Sequence, residues 1–498
     1  MKSMPASAPT PIRTTKSICP VCYRIIDADL YEENGAVYME KSCAEHGTFK
    51  DICWSDYQLY KQFEAKNIEE AGRREIKENN GECPFDCGLC PQHESSTVLG
   101  VIDVTTRCNL RCPICFAKSN GNGGGHEKDP TTEELKAIID NFAANTNAAG
   151  LQFSGGEPTL RDDLPELISY ARKKFEHVEV DTNGVKMAES EEYCKEIESA
   201  GTSVVYLQFD GVTEVPYEKL RGRKLLEVKK RAIENHRNAG PKPAIVLVPT
   251  IVKGMNDDQI GAIIKFAIEN SDIIRGVNFQ PVSFCGRTSY TENERITVSD
   301  VVSKIEEQTG FLRKDDFLPP SQMSVLLGTF GKSEVGCHFS CGAFSYLVIN
   351  PFKKSVYGKM LRRNVKVEPI TKYVDMKRLA AAYKKKNKIP VVTALRSIRP
   401  GFLKELFIGF VKSRNYRDLS DLHFNLLFIG AMHFMDPYNF DFARLKKCVI
   451  HYGLPDGRIV PFCSHNNIHR SGKSVSVYRR DRGEQHQGSE GRHSPDGE

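Results

Sequence analysis

The sequence predicts an α/β protein: a partial (β/α)6 barrel of the TIM type, preceded by a small rubredoxin-like metal module and followed by a C-terminal α+β extension. Two observations predict the barrel. Short apolar segments alternate six times with amphipathic helical segments between residues 99 and 300. Polar residues follow these strand-like segments, at the face where the sites of such barrels gather. Cysteines in close pairs near the N-terminus predict the metal module.

The chain of 498 residues has room for about three domains. We expect strands at 100–105, from 151, and at 177–182, 203–210, 244–251 and 276–282. Helices are expected between them, at 131–147, 162–174, 189–200, 223–239 and 257–270. The predicted boundaries are a flexible N-terminus at 1–13, the metal module at 14–66, a linker with a cysteine triplet at 67–98, the barrel at 99–300, the extension at 301–466 and a disordered tail at 467–498.

Sixteen cysteines, grouped in pairs and triplets, indicate metal ligation in a reducing compartment rather than a disulfide framework. The first group is a C-x2-C pair followed about twenty residues later by a C-x2-H pair. This spacing is typical of a rubredoxin-like or zinc-ribbon site with one tetrahedral metal, either zinc or iron. A block this small could hardly build a core without such a metal. The predicted ligands are Cys19, Cys22, Cys43 and His46, with Cys53 as an alternative to the histidine.

A C-x3-C-x2-C triplet directly follows the first predicted barrel strand: Cys108, Cys112 and Cys115, with Phe116 after the last thiol. Three thiolates can hold a [4Fe–4S] cluster and leave one iron without a protein ligand. That iron could chelate S-adenosylmethionine (SAM). The alternative is a structural zinc knuckle. The spacing and the aromatic residue resemble the radical SAM superfamily, whose chemistry makes a carbon radical.

A second motif strengthens this resemblance. The segment from Gly155 to Pro158 reads Gly-Gly-Glu-Pro and resembles the superfamily's second-strand motif, in which the backbone and the glutamate bind the SAM amino group. Glycine there would let the backbone approach a ligand closely. The predicted cofactor-binding residues are Gly155, Gly156, Glu157, Asn183, Gln208, Asp210 and Gln280.

Further cysteines suggest one or two auxiliary [4Fe–4S] clusters. The first would use Cys83, Cys87 and Cys90, with its fourth ligand open between His93 and Cys285. The second would use Cys337, Cys341, Cys448 and Cys463, which are far apart in the sequence and could meet only through folding. Cys194 lies on a helical pattern and is expected to be ordinary packing.

A narrower resemblance covers roughly residues 17–466. The segments C-P-x-C, C-x-E-H-G, T-T-R-C-N-L-R-C-P-I-C-F-A, N-F-Q-P-V-S-F-x-G-R (278–287), F-I-G-A-M-H-F-M-D-P-Y-N-F-D (428–441) and P-D-G-R-I-V-P-F-C (455–463) resemble archaeal tetraether lipid synthases. The resemblance implies coupling of the terminal methyl carbons of isoprenoid chains on archaeol-type phospholipids. It also implies a radical SAM cluster, two auxiliary clusters and a rubredoxin-like metal. His433, Asp436, Tyr438 and Asn439 would then contact headgroup or substrate, or simply form a polar turn.

The segment 353–417 carries a net charge of +16, although the whole chain carries only +5. Apolar residues interleave with these lysines and arginines, a pattern typical of binding to a membrane surface. We therefore expect a cytoplasmic, peripherally membrane-associated enzyme with an archaeal phospholipid substrate and a low-potential electron donor of the ferredoxin or flavodoxin type. Nucleic acid is the competing partner for basic charge and is not expected.

Two other functions stay open at this point. One is a radical SAM enzyme of another class, a methyltransferase or a peptide-modifying enzyme. The other is a multi-zinc nucleic-acid-binding protein that uses the basic segment. The Gly-Gly-Glu-Pro motif argues against the second.

Overall fold

The structure is a computed structural model that describes residues 9–68, 83–85, 89–120, 129–240, 243–288, 294–328, 337–349, 367–386, 391–400 and 426–470. It contains two sheets, one of four strands and one of twelve. Within these ranges, no helix combines the length and the apolar character that crossing a membrane requires. Most of the basic segment, at 353–366, 387–390 and 401–417, lies outside the described residues, as does Cys87.

The N-terminal module is an antiparallel meander of four strands followed by one helix. An Asn34-Gly35 pair with positive φ at both residues joins the second and third strands, as a two-residue hairpin turn requires. Pairing of Thr10 with Glu32 draws residues 10–13 into the sheet, so the predicted flexible N-terminus is wrong for these four residues. The elements are β1 (Thr10–Ile18), β2 (Ile25–Glu33), β3 (Ala36–Cys43), β4 (Gly47–Trp54) and α1 (Tyr57–Lys66).

The large sheet is built on six parallel strands that lie side by side in chain order. All six predicted strands are present, with ends shifted by a few residues. Together with the intervening helices they confirm an α/β fold with a mixed sheet; the curvature of a partial barrel stays a prediction. The strands are β5 (Leu99–Thr105), β6 (Gly150–Gly155), β7 (His177–Thr182), β8 (Val204–Gln208), β9 (Ala244–Val248) and β11 (Ile274–Pro281), with β10 (Thr250–Ile251) paired to β11.

Helices connect these strands and cover the sheet. The five predicted helices are confirmed, and a capping box between Thr131 and Glu134 fixes the start of the first. Two short helices, α4 and α6, were not predicted because five and seven residues give too little periodicity. The helices are α2 (Thr132–Asn145), α3 (Leu164–Ala171), α4 (Val185–Glu189), α5 (Glu191–Ser199), α6 (Val215–Arg221), α7 (Leu226–Ala239), α8 (Ile260–Glu269) and α9 (Val298–Thr309).

The C-terminal extension continues the large sheet at both of its edges. One strand, β14, pairs parallel to β11, and another, β15, pairs parallel to β5. The extension therefore shares the hydrophobic core of the parallel strands. Its elements are α10 (Pro320–Gly328), β12 (Gly342–Ile349), β13 (Val367–Pro369), α11 (Met376–Lys386), α12 (Val391–Ser397), β14 (Leu426–Met432), α13 (Phe442–Lys446), β15 (Ile450–Gly453) and β16 (Ile459–Pro461).

A buried polar interface joins the N-terminal module to the extension. Arg13 forms an ion pair with Asp441, and Lys41 donates to the carbonyl of Pro437 at 2.6 Å. At its centre the Arg295 guanidinium lies 2.5 Å from Asp51 of β4 and 2.6 Å from Asp436. All three of these side chains are essentially inaccessible to solvent. Buried charges are tolerated only when they are paired and hydrogen-bonded, so this interface requires its partners to be present together.

The start of the predicted disordered tail is ordered. A π-helix spans His465–His469, and the Asn467 side chain within it is buried. Its Nδ2 donates to the carbonyls of Met435 at 2.7 Å and Cys463 at 2.8 Å. Arg470 pairs with Asp103 on β5 at 2.6 Å. Disorder was predicted from the polar composition of 467–498, and the contacts that order its first residues are made by those same polar side chains.

Candidate functional site

A cavity of about 430 Å³ lies along one face of the large sheet and reaches the C-terminal ends of its parallel strands. It brings together two of the predicted cysteine groups. Both Cys108-Cys112-Cys115 and the four thiols of the predicted second auxiliary cluster line it. Successive side chains of a strand point to opposite faces, which is why alternate residues of β6, β8 and β11 reach the cavity.

The segment after β11 fixes the position of the loop that carries Cys108, Cys112 and Cys115. Cys115 and Arg287 exchange two backbone hydrogen bonds of 3.0 and 2.8 Å. The Arg287 side chain donates from Nε to the carbonyl of Cys112 at 2.7 Å. Gly286 has φ +70°, and a Cβ there would meet the carbonyl of Phe116 at 2.3 Å. Only glycine therefore allows this close approach, and the loop is fixed to β11.

The two glycines at the C-terminal end of β6, Gly155 and Gly156, pack against the end of β5. The amide of Gly156 donates to Thr105 at 2.7 Å, and the amide of Glu157 donates to Arg107 at 2.8 Å. A Cβ on Gly156 would lie 2.0 Å from the Arg107 carbonyl. The close approach that requires glycine is thus between two backbone segments, and it positions the start of the cysteine loop.

The carboxylate of Glu157 is occupied by the protein. It accepts from the hydroxyls of Thr159 at 2.6 Å and Thr182 at 2.7 Å, and from the amide of Asn183 at 2.7 Å. The side chain is only 1% exposed. Its oxygens thus tie β6 to the end of β7. Glu157 lines the cavity, and binding of the SAM amino group by this carboxylate stays a prediction.

The other predicted cofactor residues divide into two groups. Asn183, Gln208 and Gln280 line the cavity. Asn183 donates to the Asn109 side chain at 2.6 Å and so also holds the cysteine loop. Asp210 is fully buried and does not line the cavity, because Arg221 engages both of its oxygens, at 2.6 and 2.8 Å. The prediction that Asp210 contacts the cofactor is therefore corrected: this carboxylate positions Arg221.

Four basic side chains around the cavity were missed by the sequence argument. Arg221 lines the cavity, and its positive charge lies close enough to Cys112 to oppose the rise that burial causes in the pKa of that thiol. Lys229 is buried behind Gln208, to whose Oε1 it donates at 2.6 Å, and burial lowers its pKa to about 7. The other two are Arg287 and Arg444. Of these four residues, only Arg287 lay in one of the motif segments quoted above, 278–287.

The second cysteine group converges at the other end of the cavity. Cys337 and Cys341 precede β12, Cys448 precedes β15, and Cys463 follows β16. The Arg444 guanidinium donates to Cys341 Sγ at 3.7 Å and to the carbonyl of His433 at 2.8 Å. A hydrogen bond from Cys337 and the charge of Arg444 lower the pKa of the Cys341 thiol to about 6 against the effect of burial. Folding has therefore assembled four thiols and a buried cation.

The remaining auxiliary triplet is described only in part, because Cys87 lies outside the described residues. Cys83 packs against a core cluster that contains Cys463, and Cys90 is buried. His93 is turned toward the neighbouring elements: its Nε2 lies 2.8 Å from the carbonyl of Cys448 and 3.2 Å from Nε2 of His451. Cys285 is also buried, and burial raises the pKa of its thiol.

Of the four polar residues singled out in the turn after β14, His433 alone lines the cavity. Asp436 binds Arg295 and accepts from the amides of Phe284 and Tyr438, each at 3.0 Å. The Asn439 side chain accepts from the amide of Asp436 at 3.0 Å. Asp436 and Asn439 therefore fold the turn, and their predicted contact with a headgroup is wrong. His433 lines the cavity.

The N-terminal group is confirmed as a set of possible metal ligands. One atom each of Cys19, Cys22, Cys43 and His46 lies within 4.8 Å of the others. His46 Nδ1 lies 3.4 Å from Cys43 Sγ and 3.8 Å from Cys19 Sγ, and Cys22 Sγ lies 3.9 Å from Cys43 Sγ. Three thiols and one imidazole at these separations are suited to a tetrahedral zinc or iron ion. Cys53, the alternative ligand, is not in this group.

Replacing Cys22 with serine should remove this metal. The remaining three ligands would bind it far more weakly, since the site is closed and each ligand contributes to affinity. We expect the variant to lose one equivalent of metal by elemental analysis and to become sensitive to proteolysis within residues 10–54. Cys53→Ser is the matched control and should retain the metal. Equal metal content in both variants would contradict the assignment.

Two family models match parts of this chain. A family model described as the radical SAM superfamily matches residues 102–267. A model described as the HMPTM N-terminal zinc ribbon domain matches residues 11–55.

One relative spans nearly the whole chain. The 7,8-dihydro-6-hydroxymethylpterin dimethyltransferase of Methanocaldococcus jannaschii is 43% identical over 483 residues, which cover 92% of this chain and 94% of that protein. The Fe-coproporphyrin III synthase of Methanosarcina barkeri is 33% identical over 221 residues, covering 44% of this chain and 53% of that protein. Among solved structures, Streptococcus suis SuiB bound to precursor peptide SuiA has a TM-score of 0.37 at 13% identity, covering 61% of this chain and 69% of that chain. We draw nothing from a structural likeness of that size.

Proposed function

Because the chain belongs to the family of the 7,8-dihydro-6-hydroxymethylpterin dimethyltransferase within the radical SAM superfamily, we propose that it transfers methyl groups to a reduced 6-hydroxymethylpterin. The observation that carries this proposal is the identity of 43% along nearly the full length of both chains. It favours the methyltransferase alternative over the tetraether lipid synthase that the sequence motifs suggested. The lipid prediction came from the motif resemblance, with the basic segment as further support, and most of that segment lies outside the described residues.

The residues around the first thiol triplet fit a cluster that leaves one iron open to SAM. Cys108, Cys112 and Cys115 would hold it, because they are three thiols on one loop that faces the cavity. The amide of Leu110 donates to Cys108 Sγ at 3.4 Å, and hydrogen bonds to the sulfurs are how proteins tune such clusters. When bound, cluster and SAM would supply a carbon-centred radical able to remove hydrogen from unactivated carbon.

The chain's own side chains would fix the position of that chemistry. Arg221 would offset the negative charge of the thiolates, and it also donates to the Ile114 carbonyl at 3.3 Å. Arg287 would hold the loop backbone in place. Asn183, Gln208 and Gln280 would offer polar contacts to SAM at the strand ends. The aromatic rings of Phe116, Phe434 and Phe462 pack on one another beside the cavity with centroids 5.1 to 6.1 Å apart, and would exclude water from reactive carbon.

We propose that Cys337, Cys341, Cys448 and Cys463 hold one auxiliary cluster. Four thiols complete the ligand set of such a cluster, so electron transfer is the function that this ligand set suits best. Arg444 would raise its reduction potential, because a buried positive charge favours the more negative, reduced state. A low-potential electron donor of the ferredoxin or flavodoxin type remains the proposed redox partner.

The test is an anaerobic assay of the full chain reconstituted with iron and sulfide. The protein would receive dithionite, SAM carrying a deuterated methyl group, and 7,8-dihydro-6-hydroxymethylpterin. We expect 5′-deoxyadenosine together with pterins that have gained one and then two methyl groups, by mass spectrometry; the label would report whether SAM donates them. A parallel reaction with an archaeol phospholipid should give no coupled product. Coupled lipid without methylated pterin would overturn the proposal.

A further inference from the structure

The middle strands of the large sheet present a row of hydrogen-bond acceptors and amides to the cavity. Alternate residues of β6, β7, β8 and β11 share this face. The row consists of Gln152, Ser154, Asp181, Tyr206 and Asn278, all of which line the cavity. None of them belongs to a cysteine group or to the strand-end residues proposed for SAM. The row lies deeper along the strands than those residues.

Asp181 is the charged member of this row and has no counter-ion there. Its described hydrogen bond comes from the Ser154 hydroxyl at 3.2 Å, and no ion pair to it is found within the described part of the chain. Burial, and then the nearby charge of Glu157, raise its pKa to about 7. Arg221, which lines the same cavity, acts on the pKa of Asp181 only through space, and lowers it. A carboxylate without a paired cation requires hydrogen-bond donors, because burying it alone is costly.

A second group on this face of the sheet has an acceptor without a partner. Asn278 lines the cavity and is 5% exposed, and its Oδ1 has no hydrogen-bond partner among the described residues. Glu179 Oε2, two residues before Asp181 on β7, also has none there, but Glu179 does not line the cavity. Buried polar atoms in native proteins are nearly always satisfied, so an unpartnered acceptor in a cavity indicates a ligand. The Asp181 carboxylate and the Asn278 carbonyl oxygen both accept hydrogen bonds, so they suit a ligand with N–H donors.

We propose that Asp181 determines substrate specificity by accepting two hydrogen bonds from the amidine-like edge of a pterin ring. This inference rests on the proposed function. In a pterin the 2-amino group lies beside the ring N3–H, which gives two parallel donors. Their spacing matches the two oxygens of a carboxylate, in the way that an arginine fork does, and such paired bonds are both strong and directional.

The geometry also explains the position of the site. With its amidine edge on Asp181, deep along the strands, the ring would extend its opposite, carbon-bearing edge toward the strand ends, where the cysteine loop and the proposed SAM contacts lie. The competing role for Asp181 is contact with a ribose hydroxyl of SAM. The experiment below separates the two ligands.

The test measures binding by the reconstituted, unreduced full chain. Wild-type protein should bind 7,8-dihydro-6-hydroxymethylpterin about 10- to 100-fold more tightly than its 2-oxo analogue, because the analogue leaves the carboxylate without its second donor. Asp181→Asn should weaken pterin binding by a similar factor and reduce the preference over the 2-oxo analogue to about one, since an amide can donate to the 2-oxo group. Fluorescence titration of the pterin gives each constant.

Controls keep the outcomes distinct. Asp162→Asn removes a fully exposed carboxylate and should bind both ligands as the wild type does. Iron content and thermal midpoint establish that each variant is folded, and the wild-type preference for pterin over the 2-oxo analogue tests the proposal without any variant. Loss of SAM affinity in Asp181→Asn with unaltered pterin affinity would overturn the inference in favour of the ribose contact. If the wild type methylates the pterin but shows no binding preference over the 2-oxo analogue, the inference about Asp181 is overturned and the proposed function stands. If the wild type does not bind the pterin, the proposed function is overturned as well.

Discussion

Alanine in place of Cys112 is expected to reduce the reductive cleavage of SAM to background. Cys112 is the middle thiol of a loop whose backbone is fixed by Arg287, so no neighbouring cysteine can move into its place. Two thiolates would then face a cluster that requires three, and cluster iron should be lost from this position only. The measurements are 5′-deoxyadenosine by liquid chromatography and iron per chain by elemental analysis.

Cys194→Ala provides the matched control. Cys194 is fully buried in α5, where its thiol contacts the carbonyl of Met187 at 3.6 Å, as expected for ordinary packing. This variant should lose some stability and keep SAM cleavage. If Cys112→Ala still formed 5′-deoxyadenosine at the rate of Cys194→Ala, the triplet could not be the site of the reactive cluster.

The second large effect is expected on stability. Arg295→Met would leave the carboxylates of Asp51 and Asp436 buried without their shared cation, and breaking a buried pair in this way costs about 3–5 kcal/mol. We expect a clear fall in the thermal midpoint and loosening of the N-terminal module, detected by faster proteolysis. Arg458→Met is the control, because Arg458 is only partly buried and its partner Asp456 is exposed, and pairs at the surface contribute at most about 1 kcal/mol.

The loss in Arg295→Met should depend on pH. In the wild type, Arg295 lowers the pKa of Asp436, so its stabilisation is present above the carboxylate's unfolded pKa and is lost as pH falls. In the variant, burial without a cation raises the pKa of both carboxylates above their unfolded values. The folded variant then binds more protons than the unfolded chain and loses stability as pH rises. The difference in midpoint should therefore be larger at pH 8 than at pH 5, and an equal difference at both would contradict this account.

The sequence predicted local structure and the thiol groups well, because both depend on short-range patterns. Strand periodicity, the C-x3-C-x2-C triplet and the N-terminal ligand spacing are all contained within a few dozen residues. Side-chain roles at the strand ends were less predictable. Glu157 and Asp210 looked like free carboxylates, but Thr182 and Arg221, which occupy them, come from other elements.

The sequence motifs could not identify the substrate, for a related reason. The motifs describe how thiols and glycines are spaced, and a spacing shared by several enzymes does not specify what else lines the cavity. Asp181 and Asn278 are ordinary strand residues in the sequence. Their common face, and the lack of an ion pair to Asp181 within the described residues, became visible only when β7 and β11 were placed in one sheet.

The pairing of β14 and β15 with opposite edges of the parallel strands has a consequence for biosynthesis. Until the ribosome has made residues 426–453, both β5 and β11 present unpaired backbone, which is a template for aggregation. These contacts also span more than 300 residues between β5 and β15, so loop closure makes them slow to form. The nascent chain therefore has to be protected until almost its last strand emerges. Constructing a shorter version by removing the C-terminus would yield an insoluble polypeptide rather than a minimal enzyme.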